Sequence, residues 1–129
     1  MKVSDLFSVK IITEAELLAE PLMEMANLNP YETGTGLFIF VGKVGGARHD
    51  PRVKVSNNRR HYDKSDTFLI KVQRPAVIET PKSVRVNRSE KENALDWVDL
   101  NYDTLMKLYR AFETETDDIP TLLNQLKRI

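Results

Sequence analysis

Leu37-Phe38-Ile39-Phe40-Val41-Gly42-Lys43-Val44, Arg52-Val53-Lys54-Val55 and Thr67-Phe68-Leu69-Ile70-Lys71-Val72 are the stretches on which the fold class turns. In an extended chain successive side chains point to opposite faces, so Val53 and Val55 share one face while Arg52 and Lys54 share the other. Phe68, Ile70 and Val72 likewise oppose Lys71 and Gln73. This period of two, together with the β-branched content, predicts strands at about 37–44, 51–57, 67–73 and 76–87, the last interrupted near Pro81. One apolar and one polar face make the expected sheet antiparallel and half-buried. Gly42, Gly45 and Gly46 suit a tight turn or bulge, and residues 57–66 read as an exposed loop.

Outward from the strands the periodicity changes. Ser89-Glu90-Lys91-Glu92 is a capping-box pattern, and Leu95, Val98, Tyr102, Leu105, Met106 and Tyr109 recur at helical steps. Trp97 and Leu108 fall off that stripe, so the helix is covered on more than one side or docks a partner. A second helix is expected after Thr116-Asp117-Asp118, with Pro120 in its first turn, Ile119, Leu122, Leu123 and Leu126 as its apolar face, and Lys127 and Arg128 at its negative end. At the other end Thr13-Glu14-Ala15-Glu16 is another capping box; Pro21 interrupts the helix it starts, and Leu22, Met23 and Met25 continue it for a turn or two. Asn27-Leu28-Asn29-Pro30 and Thr33-Gly34-Thr35-Gly36 are turn chemistry. The expected organisation is an N-terminal helical arm over 1–26 and one α+β domain over 27–129. That domain holds a small curved antiparallel sheet or incomplete barrel at about 37–87, backed by two C-terminal helices at about 90–129.

The chain has 129 residues, 41% of them apolar and 29% charged, the balance of one folded domain. The absence of cysteine excludes thiolate metal sites, disulfides and cysteine nucleophiles. The longest apolar run, Leu37–Val41, is far below the ~20 residues needed to span a bilayer, and the N-terminus has neither the basic nor the apolar region of a secretory signal. A cytoplasmic protein without a membrane partner is expected.

The zero net charge conceals an asymmetry. Residues 1–40 hold two cations against six acids, residues 41–87 eleven against four, and residues 88–129 six against nine, giving −4, +7 and −3. A basic middle between acidic ends is a statement about partners. Lys43, Arg48, His49, Arg52, Lys54, Arg59, Arg60, His61, Tyr62 and Lys64 are the candidate binding residues: cations on a turn, one strand face and one loop, with Tyr62 as an aromatic on which a base can stack. The competing reading is a solvated face whose charge is partly neutralised by the acidic helices.

Enzymatic chemistry finds less support. GxSxG, Walker A, HExxH and GxGxxG are absent, and Gly34-Thr35-Gly36 precedes a strand instead of opening a helix, which makes it a turn. His49 with Asp50 and His61 with Asp63 have the ligand types for a metal but no diagnostic spacing, and the neighbouring cations repel one; neither metal nor cofactor is expected. The enzymatic alternative is a small acid–base ribonuclease toxin with His49 or His61 as proton acceptor and Arg48, Arg52 or Lys54 stabilising the transition state. A third alternative is a structural or assembly protein acting through its N-terminal arm.

Asn27-Leu28-Asn29-Pro30, Thr33-Gly34, Ala47-Arg48-His49-Asp50, Arg52-Val53-Lys54-Val55 and Trp97-Val98-Asp99-Leu100-Asn101 together make the chain, over about residues 25–129, similar to a set of short uncharacterised bacterial and phage-borne proteins. The resemblance implies a compact sheet-plus-helix unit in a phage or mobile-element setting, with the first two dozen residues as an added arm, and it transfers no catalytic residue. The expected function is a non-enzymatic binding module for a nucleic acid or nucleoprotein complex, with a protein partner as the other option. In a phage setting this includes inhibition of host defence, such as an anti-CRISPR action.

Overall fold

The computed structural model describes residues 22–44, 51–61, 63, 65–114 and 118–129. Their order is β1 (Leu22–Leu28), α1 (Pro30–Thr33), β2 (Ile39–Val44), β3 (Arg52–Ser56), β4 (Thr67–Lys71), β5 (Val77–Ile78), a 3-10 turn (Pro81–Ser83), α2 (Arg88–Leu100), α3 (Tyr102–Thr114) and α4 (Ile119–Asn124). The five strands form one open antiparallel sheet in sequential order β1-β2-β3-β4-β5, and the fold class is α+β.

The alternation read from the sequence governs the core. Ile39, Val41, Val53, Val55, Phe68 and Ile70 point to one face, where they pack with Ala94, Trp97 and Val98 of α2 and Leu105, Leu108 and Phe112 of α3. Trp97 and Leu108 are fully buried, so these helices are indeed covered on more than one side.

Three expectations are corrected. The predicted helical continuation through Leu22, Met23 and Met25 is strand β1, which pairs Leu22 with Val44, Met23 with Lys43 and Leu28 with Ile39. The register slips between Glu24 and Ala26 opposite Gly42 and Val41, a β-bulge. Pairing gives the outer edge of β2 its hydrogen-bond partners, and this tertiary gain overrides helix propensity. Residues 22–26 therefore belong to the sheet, while the Thr13–Glu16 box and Pro21 lie outside the described residues.

The second correction concerns the helices, of which three follow the sheet. α2 starts two residues earlier than predicted, because extended Asn87 accepts from the Glu90 amide (2.8 Å) while the Glu90 carboxylate accepts from the Asn87 amide (3.2 Å). The long stripe is then divided at Asn101, whose side-chain amide donates to the Trp97 carbonyl (3.0 Å). A side chain bonding back to i−4 competes with the ladder and bends the helix. The predicted fourth strand, 76–87, shrinks to Val77–Ile78 and the 3-10 turn, since Pro81 lacks a ladder donor.

The third correction is the sheet's second face. Phe40 pairs across to Lys54, Lys54 to Leu69, and Arg52 to Lys71, so these side chains share the face away from the core. Phe40, Arg52 and Leu69 are buried there as well. It is not a solvated cationic face.

Candidate functional site

One group of solvent-facing cations gathers at one end of the sheet. The β3–β4 connection begins at Ser56, whose hydroxyl accepts from the Asn58 amide (3.2 Å), and Asn58 Oδ1 then accepts from the amides of Arg60 (2.8 Å) and His61 (3.2 Å). This Asx geometry folds the chain back and leaves Arg59, Arg60 and His61 exposed at its tip.

Asn57 ties that tip to a distant segment. Its Nδ2 donates to Asp66 Oδ1 (2.9 Å) and to the Ser83 carbonyl (3.0 Å), and its Oδ1 accepts from the Arg85 amide (2.9 Å). Arg59 grips Glu90 of α2 with two nitrogens at 2.6 and 2.5 Å, a fork-to-fork pair. Arg85 lies 3.5 Å from Asp66, and Arg88 donates to Glu92 one helical turn on (3.0 Å). Residues 59–61 and 82–88 thus form one surface with Arg59, Arg60, His61, Lys82, Arg85 and Arg88.

Two of its ion pairs are shallow. The Arg85 and Arg88 side chains are 74% and 87% exposed, and such exposed pairs hold their partners weakly, whereas the two-nitrogen grip of Arg59 on the mostly buried Glu90 is the firm one. Arg60 makes no ion pair among the described residues. Asp63 stands beside this loop with its carboxyl below the usual carboxylate range, because it accepts from the Ser65 hydroxyl (2.6 Å) and amide (3.0 Å), with a smaller contribution from nearby His61.

The residues predicted from sequence divide into four groups. Arg59, Arg60 and His61 come together as expected. Arg52 does not belong with them: its side chain is 2% exposed and its Nε lies 3.4 Å from Glu79 Oε2, so it is a buried charge held by a carboxylate, not a contact for a phosphate. The expectation fails because the face that simple alternation assigns to water is covered: Phe40 and Leu69, which share it with Arg52, are themselves buried. Lys54 is half-buried on that face, and Lys43 lies in β2 opposite Met23. Arg48, His49, Tyr62 and Lys64 lie outside the described residues.

Sequence reasoning missed Lys82, Arg85 and Arg88, which it assigned to a strand or a helix start. Nothing in their spacing relates them to Arg59, because the Asn57 side chain makes the connection across 26 and 28 residues of chain. Among the described residues no cluster of three or more His, Asp or Glu could hold a metal, and no helix is long and apolar enough to cross a membrane. No protein-family model, curated protein or solved structure matches this chain.

Proposed function

We propose that this chain is a non-enzymatic module that binds the phosphate backbone of a nucleic acid, alone or within a nucleoprotein complex, through Arg59, Arg60, Arg85 and Arg88. The observation that carries this reading is the meeting of two remote basic segments on one exposed surface, where the carboxylate partners of Arg85 and Arg88 are held loosely enough for phosphate to replace them. Arginine suits such exchange, since its planar fork presents the same paired donors to carboxylate and phosphate. The phage setting implied by the sequence resemblance makes interference with a host nucleic-acid-targeting defence the specific form of this proposal.

A salt-titrated binding assay with generic DNA and RNA tests the reading. Affinity is expected at low salt and should fall linearly on a log–log plot, with a slope of about −3 if roughly four phosphates are engaged. Absence of binding at low salt, or a slope near zero, would overturn it. Incubation with RNA should leave the strand intact; turnover that disappears in His61→Ala would favour the ribonuclease alternative instead.

A further inference from the structure

Two of the segments that stand out in the sequence, Thr33-Gly34 and the end of Trp97–Asn101, converge with Tyr31 on Lys127, Arg128 and Ile129. Asn101 is buried, and its amide reads main chain: Oδ1 accepts from the Lys127 amide (2.6 Å) and Nδ2 donates to the Lys127 carbonyl (2.9 Å). Two residues on, the Ile129 amide donates to the Thr33 carbonyl (3.0 Å). Bonding at alternate residues is how an extended chain is read in strand addition.

The neighbouring geometry admits main chain at close range. Gly34 has φ +76°, and a Cβ there would collide with the Ile129 carbonyl oxygen and come within 2.9 Å of Arg128 Cγ. Between these contacts the Arg128 guanidinium lies 4.7 Å over the Tyr31 ring, and Tyr31 is otherwise 76% exposed. Backbone is therefore read by Asn101 and Thr33, and one side chain by Tyr31. None of these contacts depends on the covalent link between the tail and its own α4.

We infer that the notch between α1 and the α2–α3 bend is a peptide-binding site filled in cis by Lys127–Ile129, and that it accepts the same segment from a second copy, so that two copies can be joined by tail exchange. The notch residues Tyr31, Thr33, Gly34 and Asn101 include none of the arginines of the nucleic-acid reading, so the failure of this inference and that of the nucleic-acid reading are distinguishable.

Complementation between two full-length variants tests the inference. Lys127→Pro removes the amide that Asn101 accepts from, which opens the notch while disabling the tail. Asn101→Ala disables the notch while releasing an intact tail. Each variant alone is expected to remain monomeric, and their mixture to form a heterodimer, read by analytical ultracentrifugation and by anisotropy of labelled Asn101→Ala. Tyr31→Ala in the notch-bearing partner should weaken the pair by about threefold, the scale of one exposed cation–π contact. A mixture that stays monomeric, or a heterodimer that forms equally well when the Lys127→Pro partner also carries Asn101→Ala, would overturn the inference. Hydrogen exchange in the unaltered chain is an independent check: the Lys127 and Ile129 amides should open well before those of β3 and β4, because a second tail can enter only where the first leaves. If they exchange only with global unfolding, exchange of tails is ruled out.

Discussion

Asn57, Arg52 and Asp63 show how differently polar residues serve within one short stretch. Asn57 uses both ends of its amide, Asp66 on one side and Ser83 with Arg85 on the other, and so reinforces the exposed Arg85–Asp66 pair between the same segments. Asn57→Ala should lower unfolding free energy by about 1–3 kcal/mol, the cost of leaving part-buried backbone groups without partners, measurable by urea denaturation. It should also weaken nucleic-acid binding, because the two basic segments lose their common anchor. Arg52 makes the opposite case. Removing one member of a buried pair leaves the other charge uncompensated, so Arg52→Ala is expected to cost about 3–5 kcal/mol while leaving the salt slope of nucleic-acid binding unchanged. Arg60→Ala should do the reverse, with stability within about 0.5 kcal/mol and a slope shallower by about one. Asp63 carries the pH dependence. Its folded pKa lies below the ordinary value of 3.8, so its stabilising contribution is fully present above that value and is lost as pH falls through the folded pKa. The loop should accordingly be indifferent to pH between about 5 and 8 as far as this carboxyl is concerned. Ser65→Ala removes the leading cause of the shift, and a carboxyl-carbon NMR titration should then find Asp63 moved up towards its ordinary value.

At the scale of elements, local chemistry was legible where one residue's own neighbours decide the outcome. The alternation in Arg52–Val55 and Phe68–Val72 fixed which side chains enter the core, because a strand offers only two faces. Pro120 in a first turn and Gly34 in a turn were also readable, since φ restricts both. The rest depended on distant partners. β1 carries Met and Glu, which suit a helix, and only the open edge of β2 makes it a strand. The α2 cap illustrates a nearer ambiguity, because Ser89–Glu92 and Asn87–Glu90 both fit the box and the sequence does not rank them. The chosen box has a second consequence, since Glu90 both caps α2 and grips Arg59. Asn87→Ala should therefore cost about 0.5–2 kcal/mol of stability through the lost cap. The amide of residue 87 still donates to the Glu90 carboxylate in that variant, so the Arg59 pair should persist, observable by NMR as unchanged solvent exchange at the Arg59 side-chain nitrogens. The candidate site was half-legible for the same reason: Arg59, Arg60 and His61 are neighbours in sequence, whereas Arg85 and Arg88 reach them through contacts of Asn57, Asp66 and Glu90 that span the fold.

For the whole molecule the charge asymmetry becomes a question of which charges remain available. The basic middle segment does not act as one block. Arg52 is buried, and Arg74 turns to the helices, where it donates to Asp103 (3.1 Å) and lies 4.5 Å over the Tyr102 ring. The remaining cations at the basic end are balanced nearly one for one by Asp63, Asp66, Glu90 and Glu92, and the chain as a whole is neutral. Long-range steering is therefore weak, and in the proposed reading affinity comes from short-range replacement of carboxylate by phosphate. The acids then act as inhibitors of binding, and Glu92 is the cleanest to remove, since it is exposed and caps nothing. Glu92→Gln keeps the side-chain shape, leaves stability within about 0.5 kcal/mol, and frees Arg88 from a pair worth about 0.3–0.5 kcal/mol. Affinity for DNA or RNA at low salt should rise by about twofold, with a steeper salt slope, as Arg88 becomes fully available to a phosphate. A protein surface that used these arginines to dock an acidic partner without phosphate exchange would gain nothing in the same nucleic-acid assay. If Glu92→Gln leaves affinity and slope where they were while Arg88→Ala lowers both, Arg88 already reaches the phosphate with its carboxylate partner in place, and the exchange model is wrong at that residue.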